Sequence, residues 1–242
     1  VTEPAAWDTA ETAAIICDMW DRHWCRSAQR RVAEMAPRVD RLIGALRRRG
    51  VLIVHAPSGT MDFYKDHPGR RRCLAAPAVR TRVKLPDWRG PNFRREGEMP
   101  IDASDHGCDC KRKCKPHRPW TRQIDTIEIA EGDAIGDKAE VYYLLRRRGI
   151  RNVLIMGVHL NFCVLGRPFG IRQMIYLRRR VALVGDLTDT MYNPARPPHV
   201  SHFEGTDLMV EHVEKYWCGT ITSDQVLGGR PFRFRADRRR RT

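Results

Sequence analysis

Short apolar runs and helical stripes alternate along most of this chain. Thr12-Ala13-Ala14-Ile15-Ile16-Cys17-Asp18-Met19 is an unalternated apolar run broken by an acid, the pattern of a strand covered on both faces. Val32, Met35, Val39, Leu42, Ile43 and Leu46 then recur every three or four positions. That spacing predicts an amphipathic helix over 28–49, with Pro37 a point of kinking and Gly50 its stop. Residues 51–56 read as a second buried strand, which completes a βαβ-type unit.

Residues 57–122 break this rhythm with clusters of Pro, Gly, Arg, Asp and His, so an irregular, loop-rich insertion is expected over about 57–124. Order resumes with a strand predicted at 125–129 and a helix over 138–148, stopped by Gly149. Strands follow at 152–158, 181–187 and 220–222. Between them lie a helix from Asn161 toward Tyr176, interrupted near Pro168 and Gly170, and another over 205–216. Alternating strands and helices of this kind predict a three-layer α/β/α fold around a largely parallel central sheet. One domain over 1–242 is expected, with a disordered basic tail at about 236–242 and no internal repeat.

Composition narrows the function classes. The 42% of hydrophobic residues fall in ordered blocks, which excludes a disordered chain, and no apolar run approaches the roughly 20 residues that cross a bilayer. No basic-then-apolar leader precedes the first strand, so a cytoplasmic location is expected, or export with the signal already removed. Lys+Arg number 44 against 29 Asp+Glu, a net charge of +15, and only seven of those cations are lysine. The arginine triplets at 47–49, 70–72, 146–148 and 178–180 are dispersed, three of them at helix ends where cations favour the dipole. No aromatics are interleaved with them. A solvated surface is therefore favoured over a nucleic-acid footprint.

In an open parallel sheet, ligands bind beyond the carboxyl ends of the strands. That rim collects Asp18, Trp20, Asp21, His23 and Cys25; His55 and Ser58; His159, Asn161 and Cys163; and Asp186 and Asp189. Cys163 follows a strand and a glycine at the start of a helix, where backbone amides lower a thiol pKa and stabilise an oxyanion. Asp18 could accept its proton. The competing reading is a core cysteine. Trp20, His23, His55 and Asn161 are the candidate pocket residues, although Asn161 also reads as a helix cap and each histidine as a hydrogen-bonded structural one.

The insertion carries a second cluster, His106-Gly107-Cys108-Asp109-Cys110-Lys111-Arg112-Lys113-Cys114-Lys115-Pro116-His117. Cys108, Cys110, Cys114 and His117 could hold a structural zinc and tie down the loop, though C-x-C-x3-C is not a paired-knuckle spacing. A disulfide, in an exported protein, and free thiols are the alternatives. The segment could also close over the rim as a lid.

These residues resemble the isochorismatase-like cysteine hydrolases, the superfamily of the nicotinamidases. The resemblance rests on Val153-Leu154-Ile155-Met156-Gly157-Val158-His159-Leu160-Asn161-Phe162-Cys163-Val164 and on Asp18-Met19-Trp20-Asp21-Arg22-His23, a partial match to an Asp-x-Gln-x-x-Phe pattern. It also rests on the closing stretch from His202-Phe203-Glu204-Gly205 to Val226-Leu227. It covers roughly 10–56 and 125–228. It implies a Cys163 nucleophile with Asp18 as base, backbone amides around His159 and Cys163 at the oxyanion, a small amide or related acyl substrate, no required cofactor, and a homo-oligomer. The family's third member, a lysine, should fall near Ala130, and none is there. An arginine from 118–122 could stand in electrostatically, but not as a proton shuttle. Trp20 replaces the usual glutamine and the Asp-x-His metal pattern is absent, which argues against a nicotinamidase. A non-catalytic relic and a nucleic-acid binder remain the rival readings.

Overall fold

The computed structural model describes residues 3 and 5–239. Its strands are β1 Thr12–Cys17, β2 Leu52–Ala56, β3 Ala134–Ile135, β4 Asn152–Val158, β5 Arg180–Asp189 and β6 Gly219–Ile221. They form one all-parallel sheet in the order β3-β2-β1-β4-β5-β6. β1 lies at the centre with every residue buried, as its unalternated sequence requires. Ala13, Ile15 and Cys17 point into one apolar layer, and Ala14 and Ile16 into the other.

Helix α1 Arg26–Arg48 covers one face together with α7 Asp224–Leu227. The other face carries α2 Pro68–Leu74, α4 Ala139–Arg147, α5 Ile171–Tyr176 and α6 His202–Tyr216, and a short turn of helix, α3 Phe93–Glu96, packs outside them. The stripe from Val32 to Leu46 is buried. Truncating one of its fully enclosed members, such as Leu42, costs about 2–5 kcal/mol. Pro37 does not end α1; it lies on the solvent face, beside exposed Ala33, whose carbonyl loses its helical partner. No helix among the described residues is long and apolar enough to cross a membrane.

The strand predicted at 125–129 does not form. That stretch is a turn in which Gln123 Nε2 donates to the Ile127 carbonyl at 3.0 Å and only Ile127 is buried. The edge strand comes later, at Ala134–Ile135, where Asp133 organises the approach. Its carboxylate accepts from Ala130 N at 2.8 Å and from Arg47 at 2.7 Å, and meets His55 Nε2 at 3.0 Å. Although burial alone would raise it, His55 and Arg47 hold this carboxyl down to about 2. The helix expected over 161–176 is split into a π-helical turn, Leu160–Val164, and α5, the break falling at Pro168 and Gly170. At the carboxyl terminus, Arg239 pairs with Asp237 and Asp207, and residues 240–242 of the expected tail lie outside the described residues.

The long insertion is largely irregular, and buried polar contacts hold it down. Glu96, fully enclosed, accepts a two-pronged bond from Arg172 (3.0 and 2.9 Å) and a third from Trp217 Nε1 at 2.8 Å. His212 Nε2 lies 3.2 Å away. Burial would push this carboxyl up, but His212 and Arg172 hold it at about 2. A group held below its unfolded value stabilises the fold above that value and loses the contribution as pH falls through the folded one. Glu96→Ala strands the buried Arg172 charge and is expected to cost about 3–5 kcal/mol in urea unfolding. Glu96→Gln should flatten the loss of stability between about pH 4.5 and 2 relative to the parent protein.

Candidate active site

β1 and β4 stay paired to their carboxyl ends. Cys17 pairs with Gly157, and a Cβ on Gly157 would sit 2.0 Å from the Cys17 carbonyl oxygen. Gly157 also has φ 107°, so only glycine fits there. The next residue of β1's run, Asp18, has φ 50°, a left-handed conformation that Asp tolerates better than most. This turn aims a fully buried carboxylate across the strand ends at the nucleophile turn.

Asp18 Oδ1 accepts from Ser58 N at 2.6 Å, which anchors it to the loop after β2. Its Oδ2 lies 3.5 Å from Arg167 Nε. Arg167 stands four residues beyond Cys163 on the same turn, its N–H donating to the Cys163 carbonyl at 3.0 Å, and its guanidinium spreads over Trp88. The Cys163 thiol faces both the Asp18 carboxylate and the Arg167 guanidinium. Burial and the Asp18 charge push this thiol well above its ordinary value, with Arg167 opposing them. Burial likewise raises Asp18 against the pull of Arg167. Helix amides were expected to lower this thiol's pKa; burial and the Asp18 charge act the other way.

Asp18 Oδ2 and Arg167 Nε, 3.5 Å apart, and Ser58 Oγ are buried without a hydrogen bond among the described residues, and His159 Nε2 is another such atom. Such groups are scarce in protein interiors. Phe162 and Val164 N–H both donate to the His159 carbonyl, at 3.0 and 3.2 Å, and the Cys163 N–H lies between them in the chain. His159 is kept neutral by burial, and so is His23, whose pKa falls to about 4. The two rings meet edge to face, and His23 Nδ1 accepts from Cys25 N at 3.1 Å.

The other expected residues sort differently. Trp20 is buried, stacked on Trp120 at 4.3 Å between centroids, with its Nε1 donating to the Ser58 carbonyl at 3.2 Å. It walls the site beside Asp18. His55 does not reach it: the ring is fully buried between Gln123 and Asp133. Asn161 does not cap the helix. His159 occupies that position, and the Asn161 amide clasps both backbone groups of Met191 at 3.0 Å. Asp186 sits inside β5, accepting from Ser223 and Phe232. Asp189, at the strand end, binds Arg31 at 2.7 Å and His202 at 2.8 Å.

No protein-family model and no curated protein matches this chain. Solved structures do match its fold. A cysteine hydrolase from Pseudomonas syringae pv. phaseolicola 1448A aligns over 94% of this chain and 97% of its own, with TM-score 0.56 and 16% identity. An isochorismatase from Pseudomonas putida KT2440 aligns over 93% and 94%, with TM-score 0.56 and 14% identity. The fold is isochorismatase-like. The MAR1 ribonuclease from Caenorhabditis elegans is a more distant likeness, at TM-score 0.50 and 12% identity over 93% of this chain and 83% of its own.

Within this isochorismatase-like fold, neither place expected for the third polar member holds it. Ala130 precedes β3 in a turn, and the strand ends at Ile135-Gly136 without a lysine. Lys138 is exposed and lies 3.7 Å from Asp87. The segment 118–122 supplies no cation to the pair either: Arg118 lies over Gly59, and Arg122 binds Asp125. Arg167 is the cation beside Asp18. The clue was in the sequence, since residues four apart on a helix share a face.

These charges predict how the thiol titrates. Asp18→Asn removes the anion that holds the Cys163 proton and leaves Arg167 in place. The variant's thiolate absorbance should rise at lower pH than in the parent protein. Arg167→Met should move that rise in the opposite direction.

Proposed function

We propose that this chain is a cysteine hydrolase of small acyl substrates, amides foremost, in which Cys163 is the nucleophile, Asp18 the base and Arg167 the fixed cation. The convergence of the three side chains at the carboxyl ends of β1 and β4 carries this reading, and the shared isochorismatase-like fold supports it. As the Cys163 sulfur bonds to the substrate carbonyl carbon, its proton passes to Asp18. The oxyanion takes the Cys163 N–H in the turn that begins at His159, with the charge of Arg167 nearby. Asp18 then returns the proton to the leaving amine as the C–N bond breaks, which leaves a thioester on Cys163. Water attacks that thioester with its proton going to Asp18, the acid departs, and the thiol is restored.

Arginine stays charged throughout, so it contributes field and no proton transfer. Asp18 alone must serve both directions, and its raised pKa suits that task. Ribonucleic acid is the second reading, favoured by the net charge of +15 and by the ribonuclease of the same fold. It requires RNA affinity that falls steeply with salt.

p-Nitrophenyl acetate tests the first reading. A burst of nitrophenol and an acetyl adduct on Cys163 in the intact mass are expected, and both should vanish in Cys163→Ala. Asp18→Asn should lower turnover about 10²–10⁴-fold. The acid limb of kcat should lie above the ordinary carboxylate range, because activity is lost as pH falls through the raised Asp18 pKa. It should move to higher pH in Arg167→Met and stay in place in Arg167→Lys. An adduct on another cysteine, with Cys163→Ala unimpaired, overturns the assignment.

A further inference from the structure

We propose that Cys25, Cys108, Cys110 and Cys114 form a structural zinc site that clamps the insertion onto the start of α1, with Cys25 in the place expected of His117. The sulfurs of Cys25, Cys108 and Cys110 all lie within 4.8 Å of one another. Cys114 packs against the same cluster. Zinc–sulfur bonds of about 2.3 Å place the corners of a regular tetrahedron about 3.8 Å apart. The Cys25 and Cys110 sulfurs are 3.8 Å apart. His117 takes no part: it is exposed, and its Nδ1 meets the Lys115 carbonyl.

The surroundings suit thiolates bound to a cation. Cys25 is the N-cap of the 23-residue helix α1, at the positive end of its dipole. One amide of that first turn is directed at sulfur: Ser27 N donates to the Cys110 sulfur at 3.3 Å. The Ser27 hydroxyl lies 3.1 Å from the Cys110 sulfur. Donors of this kind orient metal ligands and temper the charge they carry. Four thiolates and one zinc leave two net negative charges, and Arg26, Arg30, Lys111 and Arg112 line the open side. Sequence spacing concealed the set because its first ligand stands 83 residues before the second.

The clamp reaches the catalytic rim without touching the reacting atoms. Asp109, between two ligands, binds Arg31 at 2.7 Å, and Arg31 in turn binds Asp189. Cys25 N holds His23 against His159, and Phe162, beside the nucleophile, packs on the cysteine cluster. Gly107 lets the loop lie flat, since a Cβ there would sit 2.2 Å from the Met191 carbonyl. The thiols are therefore set to hold a loop.

The test is elemental analysis of the full chain purified in reductant without added metal. One zinc per chain is expected, released when an organomercurial titrates the four thiols. Cobalt(II) in its place should show the sulfur-to-cobalt charge transfer and intense ligand-field bands of a tetrahedral thiolate site. Cys25→Ser should lose most of the metal, whereas His117→Ala and Cys163→Ser should keep it. Retention in Cys163→Ser separates this site from the hydrolase reading, which can fail on its own. Metal-free protein whose cobalt spectrum lacks thiolate charge transfer overturns the proposal. So does zinc that survives Cys25→Ser but not His117→Ala. If Cys25→Ser does not fold, the stoichiometry and cobalt spectrum of the parent protein decide.

Discussion

A carboxylate buried at the end of the central strand can persist only if something offsets its charge, and that requirement shapes the active end of the molecule. Asp18 is fully enclosed, fixed by Ser58 on one side and faced by Arg167 on the other. Removing either neighbour would leave an anion with little to balance it in a medium where uncompensated charge is costly. Arg167 in turn is set by the turn it shares with Cys163, so the thiol, the cation and the carboxylate are positioned by two adjacent strands. The close β1–β4 approach at Gly157 makes that arrangement geometrically available.

The same principle recurs where the insertion meets the domain. Glu96 with Arg172, Asp133 with Arg47 and His55, and Asp109 and Asp189 with Arg31 are each a buried carboxylate against a fork-shaped cation. Guanidinium groups suit this because they present several donors in a fixed plane and keep their charge when enclosed. The excess of arginine over lysine thus has a partial structural account. Arg31, Arg47, Arg167 and Arg172 hold loops and strand ends, while Arg48, Arg49 and Arg146–Arg148 at helix ends are exposed. A long irregular segment lacks the apolar pattern to hold itself, and ionic anchors supply what periodicity does not.

Two groups of cysteines lie close to one another and differ in kind. Cys163 sits among a carboxylate and a cation, and burial with the carboxylate's charge pushes its thiol up. Cys25, Cys108, Cys110 and Cys114 sit by a helix amide and one another, away from Asp18 and Arg167. The first environment favours a single bond-forming event at sulfur, and the second favours shared ligation. Residue type alone distinguishes neither.

How much was legible in the sequence follows from which interactions are local. The runs at 12–17, 51–56, 152–158 and 181–187 and the stripe of α1 dictated a parallel α/β/α sandwich, because period and burial are written into consecutive residues. Cys163 and Asp18 were legible too, since strand ends in such a sheet converge by topology. The alternation at 125–129 misled because an edge strand is chosen by its partner: β3 forms where Asp133 can bind His55 and Arg47. His55 and Asn161 were drawn away by Gln123, Asp133 and Met191, contacts across 30 to 78 residues that no spacing encodes. The cation beside Cys163 and the fourth cysteine of the cluster were likewise left to the tertiary structure. Sequence by itself determined the layers, whose signals are local and periodic; folding decided the partners, because hydrogen bonds and charges act through space.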